Sequence, residues 1–260
     1  MIETNVLSIT ISGFFSGILA GFLGIGGGTV LVPLLVALGY APIQAVATSA
    51  LAIAITAISG TIQNWRMGYI KLQSILYLGL PALIAAQVGV YLSEGISAPL
   101  LLFAFGLLLV LNIYLVEFRK RVIAKHKHQA QTSKDNLVIA RITTGGTAGV
   151  LAGLFGVGGG VIMVPLQILW LGEPIKAAIR TSLGVIILTA ISACIGHALQ
   201  GNVLFVEGLF LGTGGLIGAQ VSTRFLPKLP NKVVTLAFRT LLIILAIYTF
   251  WQSWRIYRGF

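Results

Sequence analysis

The feature that most constrains this chain is a stretch that occurs twice. Residues 17–34 read GILAGFLGIGGGTVLVPL, and residues 149–166 read GVLAGLFGVGGGVIMVPL. Eleven of the eighteen positions are identical, each match falling 132 residues later. Glycine costs about 1 kcal/mol in a helix interior relative to alanine. A run such as Gly24-Ile25-Gly26-Gly27-Gly28 therefore interrupts a helix, and the same holds for Gly156, Gly158, Gly159 and Gly160. Each copy is expected to be a non-helical break between two apolar segments.

Composition decides the solvent around those segments. Charged residues make up 9% of the 260, against about 25% in a soluble domain, and the mean hydropathy is +0.99. Apolar runs of about 20 residues recur along the chain, the length that spans a bilayer as helix. An outer-membrane barrel would alternate over ~10-residue segments, and no such pattern is present. The expectation is an all-α polytopic membrane protein. A net charge of +11 would suggest nucleic acid as partner of a soluble chain. Here the cations cluster between apolar runs, which is how lysine and arginine orient a protein in the bilayer. The expected surroundings are lipid, with no nucleic acid. Cys194 is the single cysteine, which excludes disulfides within the chain and multi-cysteine metal sites, and no metal or cofactor is expected. The opening MIETNVLSIT lacks a basic region and a small-residue cleavage site, and reads as mature sequence rather than a removable signal.

In order, an apolar segment at 6–23 precedes the loop 24–28. A short apolar stretch, 29–38, then stops at Gly39-Tyr40-Ala41-Pro42. About ten residues of helix rise ~15 Å, half the ~30 Å hydrocarbon thickness, so this is a half-helix. Three full spans follow, about 43–64, 72–93 and 97–117. The second half repeats the order: 138–155, the loop 156–160, a half-helix at 161–171, a stop at Gly172-Glu173-Pro174, then spans at about 175–199, 203–224 and 232–254. Between the halves, Arg119, Lys120, Arg121, Lys125, Lys127, Lys134 and Arg141 face only Asp135. The predicted division is a first repeat at 1–118, a basic linker at 119–136 and a second repeat at 137–260. His126 and His128 in the linker read as solvated side chains. The duplication reaches beyond the glycines: Thr48-Ser49 recurs as Thr181-Ser182, and Gln87-Val88 as Gln220-Val221.

Charge along the connections sets the orientation. The positive-inside rule places the linker in the cytoplasm. Arg66 and Lys71 place 65–71 on the same side, and Arg224, Lys228 and Lys232 do so for 224–232. The connections carrying Glu94 and Glu207 then lie outside. Equivalent connections fall on opposite faces, so the halves are expected to be inverted. Each glycine unit would be re-entrant, dipping in and returning to its own side, with both termini outside; a broken helix that crosses once would instead make the halves parallel. Arg255 and Arg258 are a mild exception.

Inside a membrane, non-helical backbone survives only where protein buries it or water lines it. The two loops should meet near the midplane, with half-helices beginning at Thr29 and Val161. Helix N-termini carry free N–H groups and about half a positive charge, and glycine lets a ligand approach the backbone. Together these describe an anion site. Gly17, Gly21, Gly149 and Gly153, four apart, read as helix-packing residues. Among polar residues inside spans, costly and therefore functional candidates, Arg239 could pair bidentately with an oxyanion. The hydroxyls of Thr48, Ser49, Thr181 and Ser182 could bond its oxygens or their own helix carbonyls. Gln87 and Gln220 suit interhelical hydrogen bonds. His197, whose repeat counterpart is Asn64, is a titratable group that could carry a coupling proton. Pro33 and Pro165 end the two motifs and are assigned to packing or gating.

The doubled GxxGxGGGxxxVP pattern, the Thr-Ser pair beyond the following proline and the polar linker between halves closely resemble the TauE/SafE sulfite exporter family, over essentially the whole chain. The resemblance implies a secondary carrier of small sulfur-containing anions such as sulfite, sulfoacetate or other organosulfonates, often proton-linked, in the cytoplasmic membrane. A passive anion channel using the same loops as a filter is the alternative. No nucleophile–base pair or metal cluster supports an enzyme.

Overall fold

A computed structural model describes residues 6–125 and 134–258, with backbone alone at 115–125 and 134–136. Among the described residues every regular element is helical: α1 (Val6–Leu23), α2 (Gly28–Ala37), α3 (Pro42–Arg66), α4 (Leu72–Glu94), α5 (Ala98–Lys125), α6 (Lys134–Phe155), α7 (Gly160–Trp170), α8 (Ile175–Leu199), α9 (Phe205–Phe225), a 3-10 turn (Leu226–Lys228) and α10 (Asn231–Tyr257). The predicted breaks are where the chain stops being helical. Gly24, Gly26 and Gly27 have φ of 67°, 75° and 84°, and Gly156, Gly158 and Gly159 have 63°, 70° and 77°. This left-handed region costs a residue with a β-carbon roughly 1–2 kcal/mol, which is why glycine recurs here. Pro42 starts α3, where its missing N–H is not needed.

Six described helices are long and apolar enough to cross a membrane: α1, α3, α4, residues 137–155 of α6, α8 and α10. α2 and α7, at 10 and 11 residues, are half-helices as expected. α1 covers the expected apolar segment 6–23. Its 18 residues rise ~27 Å, so α1 and α6 are of crossing length and only the segments after the glycines are short. α5 and α6 also continue as helix into the predicted linker, and of that linker residues 126–133, with His126 and His128, lie outside the described residues.

The halves interleave. Gly13, Gly17 and Gly21 of α1 lie against Leu211, Gly215 and Ser222 of α9, and Gly145, Gly149 and Gly153 of α6 lie against Leu78, Ala82 and Ala86 of α4. Both pairs run in the same direction with backbones in direct contact, since a β-carbon at any of these glycines except Gly21, which faces the Ser222 hydroxyl, would collide with the partner's main chain. In a bilayer, where lipid is as apolar as leucine, such close packing is what holds helices together. α3 and α8 are the buried centre. Ala50 packs near Ala193, whereas Gly60 faces Leu183, so these two helices run in opposite directions.

The connections sort by charge. Lys176 Nζ donates to the Pro227 carbonyl at 2.9 Å, and Arg180 lies over the Tyr69 ring. These contacts gather Arg66, Lys71, Arg224, Lys228 and Lys232 at one end. At the other end Tyr40 and Glu207 meet at 3.4 Å, and Ser253 donates to the Pro99 carbonyl. Trp65, Tyr91, Trp254 and Tyr257 are exposed near helix ends, the position where amphipathic rings suit a membrane interface.

Candidate functional site

The two glycine loops cross at the centre of the molecule. Gly28 packs on the carbonyl of Gly156, and Gly160 packs on the carbonyl of Gly24. Gly26 and Gly158 both sit between Ile53 of α3 and Ile186 of α8. Each isoleucine is the twelfth residue of a 25-residue helix, so the crossing lies at mid-depth. The start of each half-helix thus rests on the other repeat's loop.

Hydroxyl groups hold the loop carbonyls. Ser16 donates to Gly27 O at 2.9 Å, Ser49 to Gly156 O at 2.7 Å and Thr189 to Gly158 O at 3.0 Å. The N–H side is different. Neither Gly27, capping α2, nor Gly159, capping α7, receives a side-chain cap, and the first amides of a helix have no intrahelical acceptor. Thr29 Oγ1, in the first turn of α2, is fully buried without a hydrogen-bond partner. Val161, its counterpart, is fully buried too. Pro33 and Pro165 lie inside α2 and α7. Each lacks the N–H that would bond four residues back, so the helix ladder leaves the carbonyls of Thr29 and Val161 without that donor.

The other predicted residues fall around this crossing. Thr48 is fully buried and accepts the Leu204 amide at 3.1 Å. Its counterpart Thr181 lines a cavity with Lys71 and Arg180. Ser182 accepts from Gln167 Nε2 at 3.0 Å. Gln87 Nε2 joins α4 to α8 through the Ser192 carbonyl and hydroxyl at 2.6 and 2.8 Å, and Gln220 is half-buried on α9. His197 is fully buried, with Nε2 3.1 Å from the Gly153 carbonyl and Nδ1 unpartnered. Arg239 lines a cavity of about 570 Å³ with Pro174, Ile175, Lys232 and Thr235, which includes no glycine-loop residue. Sequence reasoning missed Arg180, although a cation six residues into an apolar helix was signal enough. It also missed Ser16 and Gln167, whose partners Gly27 and Ser182 lie on the next element of the chain and are met only once the chain folds back.

Length, apolarity and packing define a polytopic helical membrane protein, and the crossing gives it a polar centre suited to a transporter. The chain belongs to the sulfite exporter TauE/SafE family, whose model matches residues 9–249. It is 26% identical over 270 residues to the probable membrane transporter protein YunE of Bacillus subtilis, covering 94% of this chain and 97% of that protein. It is 32% identical over 223 residues to YdhB of the same organism, covering 85% and 90%. A probable membrane transporter protein of Xylella fastidiosa is 31% identical over 260 residues, with 95% and 96% covered. No solved structure matches the chain. The protein is a multi-pass membrane transporter, not an enzyme.

Proposed function

We propose that the protein is a secondary transporter moving small sulfur-containing anions, sulfite, sulfoacetate or related organosulfonates, across the cytoplasmic membrane as a proton-linked exporter. The observation that carries this reading is the polarity of the crossing. Its carbonyls at Gly27, Gly156 and Gly158 are occupied by hydroxyl donors, while the α2 and α7 N-termini lack side-chain caps and the Thr29 hydroxyl is unpartnered. Beside the Thr29 and Val161 carbonyls that the prolines leave out of the helix ladder, the crossing offers two uncapped helix N-termini and the Thr29 hydroxyl in a low-dielectric setting, and those N-terminal donors are the arrangement that binds an anion.

The binding residues are Gly24, Gly26, Gly27, Gly28 and Thr29 from one repeat and Gly156, Gly158, Gly159, Gly160 and Val161 from the other, with Thr48, Ser49, Thr181 and Ser182 beside them. Arg239 attracts the anion from its own cavity at the basic end. The halves are inverted-topology repeats, a reading supported by the opposed directions of the equivalent helices α3 and α8. Alternating access rocks one bundle against the other about the crossing. The basic end and linker face the cytoplasm and both termini lie outside. His197, with Nδ1 unpartnered, carries the coupled proton.

The test is flux in liposomes containing purified protein. Sulfite accumulation against its gradient, driven by an imposed proton gradient and lost in Arg239→Ala, is the expected result. Flux that only ever runs down the sulfite gradient makes the protein a channel, and wild-type rates in Arg239→Ala remove that residue from the path.

A further inference from the structure

Near the crossing, at one end, lies a cationic cavity whose charged residues the duplication does not repeat at the other. Gly24 packs on the backbone of Ile179, and the next two residues of α8, Arg180 and Thr181, line a cavity of about 200 Å³. Gly68, Tyr69, Ile70, Lys71 and Ala177 complete it, and no carboxylate is among them. The Arg180 guanidinium carbon lies 3.5 Å from the Tyr69 ring centroid. Its Nε is buried with no hydrogen-bond partner. A buried guanidinium N–H without an acceptor is costly. Stacked on one face by tyrosine, the guanidinium plane that lines the cavity is held before any ligand arrives, which suits a bidentate oxyanion. A water's share of liquid volume is ≈ 30 Å³, so the space corresponds to about six or seven waters, enough for a compact oxyanion and a few waters.

The repeat shows what this end has gained. Gly68 and Gly201 are equivalent, each with φ of 74°, so Tyr69, Lys71 and Arg180 correspond to Asn202, Leu204 and Ala47. There the Leu204 amide closes onto Thr48, which is fully buried. The same backbone plan is sealed at one end and cationic at the other.

We propose that Arg180, stacked on Tyr69 and flanked by Lys71 and Thr181, is the anion-capture site at the basic mouth of the path, and that the structure is the state open to that mouth. The ligand class is a compact oxyanion offering at least two oxygens to one guanidinium edge. This rests on the transporter reading above but names a residue and a side of access that the reading does not need.

The experiment uses the full chain in detergent, in two arms. In the first, thermal unfolding is followed with sulfite, sulfate, thiosulfate or sulfoacetate, and with chloride as control. A sulfur oxyanion raises the wild-type midpoint, Arg180→Ala loses that rise, and Arg180→Lys needs at least tenfold more anion. In the second arm, Ala177→Cys in a Cys194→Ser background is labelled with anionic and cationic methanethiosulfonates. The anionic reagent reacts faster, the bound oxyanion slows it, and adding Arg180→Ala removes the preference. An Arg180→Ala protein that keeps the full oxyanion response overturns the capture site and leaves the transporter reading intact. Equal labelling by both reagents overturns it as well. A wild type blind to every sulfur anion, yet with the anionic labelling preference dependent on Arg180, supports the capture site and overturns the sulfur-anion reading.

Discussion

Gly28 and Gly156, 128 positions apart in the chain, are in direct contact: a β-carbon at residue 28 would overlap the carbonyl oxygen of Gly156. The mirror contact joins Gly160 to Gly24. These two contacts lock the start of each half-helix onto the opposite loop.

Gly28→Ala and Gly160→Ala should therefore each force the crossing apart. Overpacking a tight interior costs about 1–3 kcal/mol, and flux should fall below a tenth of wild type because the loops lose register. Gly146→Ala is the control. Nothing lies within 4 Å of a β-carbon there, and alanine favours the helix by about 1 kcal/mol. Thermal midpoints and liposome flux measured side by side should separate the two classes.

Ser49→Ala removes the hydroxyl that holds Gly156 O at 2.7 Å. A buried carbonyl left without its donor costs about 1–3 kcal/mol, so the unfolding midpoint should drop. Thr143→Ala, whose hydroxyl bonds only its own helix at an exposed site, should leave the midpoint where it was.

Gln87→Leu breaks the α4–α8 bridge to Ser192. Interhelical hydrogen bonds in membranes contribute about 0.6–2 kcal/mol. Since both side chains share one interaction, the double change with Ser192→Ala should cost less than the sum of the single changes. Strict additivity would show that the hydroxyl half of the bridge contributes nothing, since the bond to the Ser192 carbonyl survives in Ser192→Ala.

His197→Gln keeps a donor for the Gly153 carbonyl but cannot titrate. The protein should insert and fold, and anion flux should stop responding to an imposed proton gradient. If the gradient still drives accumulation, His197 serves only to anchor α8 to α6.

Orientation is checked by fusions. Alkaline phosphatase, active only outside the cytoplasm, should be active when joined after Phe260 and inactive when inserted at residue 130. The reverse pattern would invert the assigned faces and move the Arg180 mouth outside.

The sequence by itself determined the helical breaks, the half-helices and the repeat. Those properties are local: glycine at positive φ, proline at a helix start and apolar length act within a few residues, and duplication is visible to comparison at a fixed offset. It also marked Gly17, Gly21, Gly149 and Gly153 as packing residues, because spacing by four places them on one helix face. It did not name their partners. That α1 packs on α9 of the other half, that Ser49 holds Gly156, and that Arg180 stacks on Tyr69 were decided by the tertiary structure alone. Each of these contacts joins residues more than a hundred positions apart, and no periodicity links such pairs. Tertiary structure likewise placed Arg239 in a cavity whose lining includes no glycine-loop residue and brought forward Arg180, since a cation's depth in an apolar run does not say which neighbours it faces. The same limit applies to Thr48 and Thr181, identical in motif yet one sealed by the Leu204 amide and the other open to a cationic cavity.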